Sequence, residues 1–537
     1  MERLRFRPRL VDSLQGYRKE DFIADLSSGI TVGIVALPLA MAFGIASGVK
    51  PEQGIVTAII AGFLISALGG SKVQIGGPAG AFVALMYGIV ERFGVANLLI
   101  ATAISGVLLF AIGALRMGNL IRFIPVSIVI GFTNGIAVII ALQQVKDFLG
   151  LSIEKMPSNF FSQIGTLGSH LGTINPTAVL LGAGALAVIV VWPKSYKAND
   201  ATWKQWAARV PGTIVVLVLG TLLVSLFGLQ VETIGSRFGG IPRGLPAPAL
   251  PQFDWDQVRN LVGPIVSITL LGAIESLLCA RVADQLATHP AHRKHDPNQE
   301  LIAQGAANFL VPFFAGMPVT GTIARTVTNL RSGATSPISG MVHALFLALI
   351  VLLAAPLALH VPLAVLAGIL LFVAWNMGEW HEFVRLRQFS NHYRLLLLGT
   401  FVLTVVLDLM VAVEVGLALS CLLFVRRMAT LFRATPLAQD GPAQLAWTLH
   451  GVLFFGATAR LDELEDAINQ APQGVQVLLD LSDLLSLDTT GVDALEQLLK
   501  AAEQRGGRLR IRGAQPQVQS LLERSGLAAK LGEATPP

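Results

Sequence analysis

Six stretches of this chain, 26–46, 95–115, 120–142, 211–229, 261–283 and 338–359, run for about twenty residues with scarcely a charge, the length a helix needs to cross about 30 Å of hydrocarbon. Shorter or interrupted apolar runs follow at 54–68, 79–89, 176–191, 301–315, 319–330 and 361–375, and a long one at 395–431 is divided by Asp408. Together they predict about fourteen membrane segments, with 152–172 too polar to span and placed at the interface. Composition agrees: of 537 residues 53% are hydrophobic and 14% charged, well under the roughly 25% charged residues of a soluble domain. Disorder is excluded by that apolarity, and a collagen-like fibre by the lack of period in the glycines.

Cys279 and Cys421 both lie in apolar runs, which leaves no disulfide framework and no multi-cysteine metal site. Residues 1–25 are polar and basic with no small-residue cleavage site after a short apolar run, so the N-terminus is expected to stay cytoplasmic and unprocessed. From Pro436 onward there are 8 basic and 13 acidic residues, a net −5 against +10 for the rest. The basic residues of the body sit in short segments between apolar runs, among them Arg116, Lys194, Lys204, Arg293, Arg385, Arg394 and Arg426 on one side. That distribution fits the positive-inside rule and speaks against nucleic acid as a partner.

Two short runs are introduced by one pattern, Gly76-Gly77-Pro78-Ala79-Gly80 and Gly316-Met317-Pro318-Val319-Thr320-Gly321, 240 residues apart. The same offset lays 26–46 on 266–286 and 120–142 on 360–382. Gly/Pro-interrupted segments at matching places in two halves point to a transporter site near the bilayer midplane, and an odd number of crossings per copy inverts the second. Half-helices that begin inside the membrane leave their first N–H groups unpaired and aim their positive dipole ends at one centre, which suits an anion. After Arg433 the periodicity changes. Strands at 444–450, 452–455, 475–481 and 508–512 with helices at 459–469, 491–503 and 516–525 predict a small soluble α/β domain.

Glu275 falls mid-span, where an ionised carboxylate is costly and a functional role is the default reading; it can carry a proton alongside an anion. A hydrogen bond to Ser276 or to a backbone carbonyl is the plainer alternative. Arg325, one turn into the second half-helix, adds a full positive charge, with Thr320 and Thr322 as hydroxyl donors; a basic residue snorkelling to the cytosol is the other reading. Asp408 and Glu414 read as helix-end or gate contacts. His289, His292 and His295 lack carboxylate or cysteine partners at ligand spacing and read as a solvated loop. With no P-loop and no GxGxxG after a strand, ATP-driven pumping and enzymatic chemistry are not expected, and no cofactor or metal is called for.

The stretch Leu37-Pro38-Leu39-Ala40-Met41-Ala42-Phe43-Gly44-Ile45-Ala46-Ser47-Gly48, with Gly131-Phe132-Thr133-Asn134-Gly135, Glu275-Ser276-Leu277-Leu278 and Pro318-Val319-Thr320-Gly321-Thr322-Ile323-Ala324-Arg325-Thr326, resembles the SulP anion permease family over nearly the whole chain. That resemblance implies an α-helical polytopic membrane protein of two inverted seven-helix repeats, a core moving against a gate, and a cytoplasmic STAS domain. On it the chain is expected to divide into a cytoplasmic segment 1–25, a transport domain 26–433 with repeats at about 26–229 and 261–433, and the STAS domain 434–537. It implies an anion between the third and tenth helices, lined by Phe43, by Ala79, Gly80 and Ala81, and by Thr322, Ile323 and Ala324. The STAS loop Leu487-Asp488-Thr489-Thr490-Gly491 matches one that is phosphorylated in relatives, which makes Thr489 and Thr490 candidates beside a plain helix cap.

The family's sodium-driven bicarbonate branch carries Asp at the position of Glu275 and Thr at that of Cys279, and a thiol is a poor sodium ligand. Glu275 with Arg325 resembles instead the bacterial proton-coupled C4-dicarboxylate branch. The resulting expectation is a homodimeric secondary transporter in the cell inner membrane, carrying fumarate or succinate with a proton by alternating access, its STAS domain open to a cytoplasmic protein partner. Sulfate and bicarbonate stay open as substrates, as do an anion channel and a voltage-responsive motor as other classes.

Overall fold

The computed structural model describes residues 6–119, 125–193, 210–242, 244–250, 255–286, 294–407, 409–437 and 444–533. The chain divides into two compact units, Met1–Leu417 and Ala418–Pro537. The first holds helices α1 (Lys19–Ala46), α2 (Pro51–Leu68), α3 (Gly80–Ala114), α4 (Val126–Leu149), α5 (Pro176–Val191), α6 (Gly212–Phe227), α7 (Val262–Leu286), α8 (Pro297–Leu310), α9 (Ile323–Arg331), α10 (Ile338–Ala354), α11 (Leu363–Met377) and α12 (Asn391–Val406), and α13 (Leu409–Leu431) runs across the division. Gly94, at φ 82° and ψ 168°, breaks α3 in two, so these thirteen helices make fourteen segments, seven before residue 230 and seven after 260, beside shorter ones such as Phe160–Ser169 and Trp380–Arg385. Among these residues seven helices are long and apolar enough to cross a bilayer, and α5, α6 and α12 are apolar but shorter.

Local signals place the ends. Asn175 and Asp296 accept hydrogen bonds from the first free N–H groups of α5 and α8, each with proline at the first helical position, where its missing N–H costs nothing. The expected span 120–142 begins later than read, at Val126, because Pro125 immediately precedes the helix; its first residues, 120–124, lie outside the described ones.

Two groups of helices pack within the first unit. In one, α1 and α2 pack on α10, and α3 packs on α7 and α8. Gly106 and Gly305 bring the backbones of α3 and α8 into direct contact: a Cβ at Gly106 would lie 2.7 Å from the Asn308 carbonyl carbon. In the other, α4 packs on α11 and α12 and α11 on α5. This separation is what a core and a gate need.

The second unit is a sheet in the order β3 (Arg433–Pro436), β4 (Gln444–Leu453), β5 (Gln476–Asp480), β7 (Arg508–Arg512), β8 (Gly532–Glu533), with β6 (Leu484–Leu487) also on β4. The pairs β4–β5, β4–β6, β5–β7 and β7–β8 are parallel, and β3–β4 is antiparallel. Helices α14 (Asp462–Gln470), α15 (Thr489–Gln504), α16 (Pro516–Arg524) and α17 (Leu527–Lys530) accompany it, and Leu449, Leu464, Val477, Leu479, Leu495, Leu498 and Val518 fill the core. Where the sequence predicts two strands at 444–455 there is one, irregular at Gly451 and Val452; β3, β6 and β8 carry no clear period-two signal.

Candidate anion site

The two interrupted segments meet. Gly76–Gly77 (β1) pairs antiparallel with Thr320–Gly321 (β2), Gly76 opposite Gly321 and Gly77 opposite Thr320. Antiparallel entry sends the helices that follow, α3 and α9, away from each other, so their N-termini face one centre, as two inverted copies meeting at their breaks require. The 240-residue offset of the two prolines does not extend to the helix starts: Pro78 lies two residues before α3 and Pro318 five before α9, which begin 243 residues apart.

Ala79 and Thr322 occupy the N-cap positions, and neither side chain caps its helix. Among the described residues no side chain accepts from the N–H groups of Gly80 and Ala81 or of Ile323 and Ala324, the geometry in which a helix start can receive an anion. Phe43 is buried beside this entrance: a Cβ on Gly80 would lie 3.5 Å from its ring and 3.2 Å from Met377 Sδ. Met377, at the end of α11, is a neighbour that the spacing of motifs did not reveal as part of the site.

The threonines are not the donors expected. Thr320 donates its hydroxyl hydrogen to the Gly272 carbonyl at 3.1 Å, and Thr322 donates its own to the Ile75 carbonyl at 2.9 Å. Each hydroxyl has one hydrogen, so both are stitches between elements. Further stitches are Thr322 N–H to Ile75 O at 2.8 Å, Ile75 N–H to Thr326 Oγ1 at 3.0 Å and Asn329 Nδ2 to Val73 O at 2.9 Å. They hold the two breaks together along their length.

Arg325 is 1% exposed, and neither Nη1 nor Nη2 has a hydrogen-bond partner among the described residues. Its guanidinium reaches back over β1, where Nη1 fills the space a Gly77 side chain would take. This is not a snorkelling residue. Glu275, 8% exposed in α7, forms no hydrogen bond or ion pair among the described residues, and Ser276, its expected partner, donates instead to the Gly272 carbonyl. Cys279 donates to Thr326 Oγ1 at 3.2 Å, so its thiol is engaged next to the break.

Asp408, His289 and His292 lie outside the described residues, and Glu414 is exposed. His295 does have a carboxylate partner, Asp284, with Nδ1 2.6 Å from Oδ2, which corrects the reading of a purely solvated loop; no group of three or more metal-ligating side chains occurs among the described residues. In the second unit Thr489 and Thr490 are exposed, while Asp488 caps α15 by accepting from Gly491 N–H at 2.7 Å.

A cleft of about 530 Å³ opens between the two helix groups, lined in part by Tyr87, Glu91, Lys146, Asp147, Lys155 and Arg237. Arg237 pairs with Asp147 at 2.7 Å, and Ser158 donates to Glu91 at 2.8 Å. These charges come from separate segments, and nothing in their spacing foretold the cluster.

Comparison with known proteins agrees with the fold. Residues 22–400 match the model of the sulfate permease family and residues 438–535 that of the STAS domain. The chain is 39% identical over 535 residues, 98% of each chain, to the protein named putative sulfate transporter YvdB of Bacillus subtilis, and 30% identical to the bicarbonate transporter BicA of a Synechocystis strain, covering 93% of this chain and 90% of that one. The solved transmembrane domain of a cyanobacterial BicA superposes with TM-score 0.66 over 74% of this chain and 98% of its own at 31% identity; SLC26A9, at 18% identity, shares the fold with TM-score 0.84 over 97% of this chain and 89% of its own. The chain thus belongs to the sulfate permease family, as a polytopic helical anion transporter with a C-terminal STAS domain and not an enzyme.

Proposed function

We propose that the protein is a proton-coupled secondary transporter that holds one small anion between the N-termini of α3 and α9 and carries it by alternating access. The observation that carries this reading is Arg325: a buried guanidinium whose two terminal nitrogens lack a protein partner, beside helix N-termini with free N–H groups. A desolvated cation of this kind is costly unless an anion completes it. The anion contacts are the N–H groups of Gly80, Ala81, Ile323 and Ala324, the Arg325 side chain and the Phe43 wall. Glu275 carries the coupling proton, because a mid-membrane carboxyl with no partner is suited to bind and release one.

One guanidinium with one pair of helix starts matches a single compact anionic group. That, with the sulfate and bicarbonate transporters among the relatives, favours sulfate or bicarbonate. The C4-dicarboxylate reading rests on the combination of Glu275 with Arg325. Repeats at about 26–229 and 261–433, a STAS domain at 434–537, a cytoplasmic N-terminus and STAS domain, an inner-membrane location and a homodimer complete the proposal, as does phosphorylation of Thr489 or Thr490, both of which are exposed.

Uptake of labelled sulfate, bicarbonate and fumarate into liposomes, with and without an inward proton gradient and without sodium, tests it. Concentrative uptake driven by the gradient supports transport over a channel. The substrate that accumulates decides among the three, and Glu275→Gln is expected to abolish the gradient-driven component. Unchanged accumulation in that variant removes Glu275 as the carrier.

A further inference from the structure

His343, in α10, is fully buried, and neither Nδ1 nor Nε2 has a hydrogen-bond partner among the described residues. Two small residues one turn apart on α2, Ala58 and Gly62, connect it to the space that Arg325 fills. Gly77, whose missing side chain makes room for Arg325 Nη1, sits over Ala58, while Gly62 faces Gly76 O and His343, a Cβ there lying 3.2 Å and 3.9 Å from them. One turn on, the Ser66 hydroxyl, also unpartnered, lies against Gly340 of α10. Gly76 and Gly77, adjacent in β1, thus set His343 and Arg325 Nη1 against neighbouring turns of α2. A buried imidazole left without a partner beside an unpartnered guanidinium is not explained by packing.

We propose that His343 is a second proton-binding residue of the anion site, taking a proton when Arg325 holds a doubly charged anion so that the pocket sets two positive charges against two negative ones. The inference rests on the reading that Arg325 holds the anion. The proton comes from water and adds to the unprotonated ring nitrogen; no bond to the anion forms or breaks. A singly charged anion is balanced by Arg325 alone, so proton uptake depends on the valence of the anion.

The groups facing His343 are few. Arg325 comes from α9. From α1, Asp25 is held by Tyr17 and by Thr335 and Ser336 in the turn leading into α10. From α2, Gly62 lies against His343 and Ser66 against Gly340, and neither titrates in the accessible range.

Titration calorimetry on the purified full-length protein, repeated in buffers of different ionisation enthalpy, counts the protons taken up as sulfate binds, with nitrate as the singly charged probe. Wild type is expected to take up more protons with sulfate than with nitrate. In His343→Gln that difference disappears, and sulfate affinity falls about tenfold relative to nitrate at low pH. An unchanged difference in His343→Gln, or its loss in Glu275→Gln alone, overturns the proposal. Should the His343 variant not fold, the wild-type pH profiles decide: sulfate binding that tightens more steeply than nitrate binding as pH falls, by up to about a further tenfold per pH unit, supports it, and parallel profiles overturn it. A wild type that binds nitrate and not sulfate overturns it while leaving the anion site intact, whereas wild-type binding by Arg325→Ala removes the reading beneath it.

Discussion

Arg325 Nη1 occupies the space that a side chain on Gly77 would need. The glycine and the arginine lie in different halves of the chain, and the absence of a Cβ in one positions the charge of the other. Gly77→Ala is therefore expected to push the guanidinium aside and weaken anion binding by about tenfold, roughly 1.4 kcal/mol. Binding of labelled sulfate to the purified variant checks it; wild-type affinity means the arginine does not hold its position through Gly77.

Arg325→Ala removes a charged donor that no protein group completes. The expected loss in anion affinity is about ten- to a hundredfold, from the roughly 1.5–3 kcal/mol of a charge-assisted hydrogen bond. Melting temperature is expected to stay level or rise, since an unpaired buried charge is costly to the fold. A large fall in melting temperature would mark Arg325 as structural.

Asp25 is a structural carboxylate. It accepts from Tyr17 Oη at 2.7 Å, from Thr335 N–H at 2.6 Å and Oγ1 at 3.2 Å, from Ser336 N–H at 3.1 Å and from the Ser336 hydroxyl. Asp25→Ala strands buried donors at the turn between α9 and α10 and is expected to cost about 2–4 kcal/mol, read as a clear drop in thermal stability in detergent, with Asp25→Asn in between.

In the second unit Asp480 accepts from Ser482 N–H and pairs with Arg512, Nη2 to Oδ2 at 2.9 Å. Burial raises its pKa, but the Ser482 hydrogen bonds and the Arg512 charge outweigh it and hold the carboxyl below the usual 3.8. A value lowered on folding stabilises above the unfolded value and is lost as pH falls through the lowered one. Arg512→Ala is thus expected to melt lower than wild type at pH 6, the gap closing below about pH 4; a gap independent of pH assigns the loss to packing.

The membrane-crossing character of the chain and the soluble nature of its tail are legible from composition and period alone. So is the existence of two matching breaks, because Gly and Pro have few alternative uses inside an apolar run. Register was less legible. Three more residues follow Pro318 than follow Pro78 before the helix starts, and only the pairing of Gly76 with Gly321 shows which residues face each other. Thr320 and Thr322 show the limit of residue type as a guide: a hydroxyl beside a helix start looks like a ligand donor until its hydrogen is found on a backbone carbonyl.

The sequence by itself determined that two matching interrupted segments had to lie within the apolar body, since the hydrophobic effect and the cost of unpaired backbone in lipid act on local stretches of chain. It also marked Glu275 and Arg325, because charge inside an apolar run is conspicuous wherever it folds. Tertiary structure alone decided which charges meet and which polar groups are consumed. His343 and Gly62 from separate helices, Gly77 under Arg325, and Met377 across from Gly80 depend on contacts between segments tens to hundreds of residues apart. Such contacts follow from the packing of whole helices, and no local pattern encodes them.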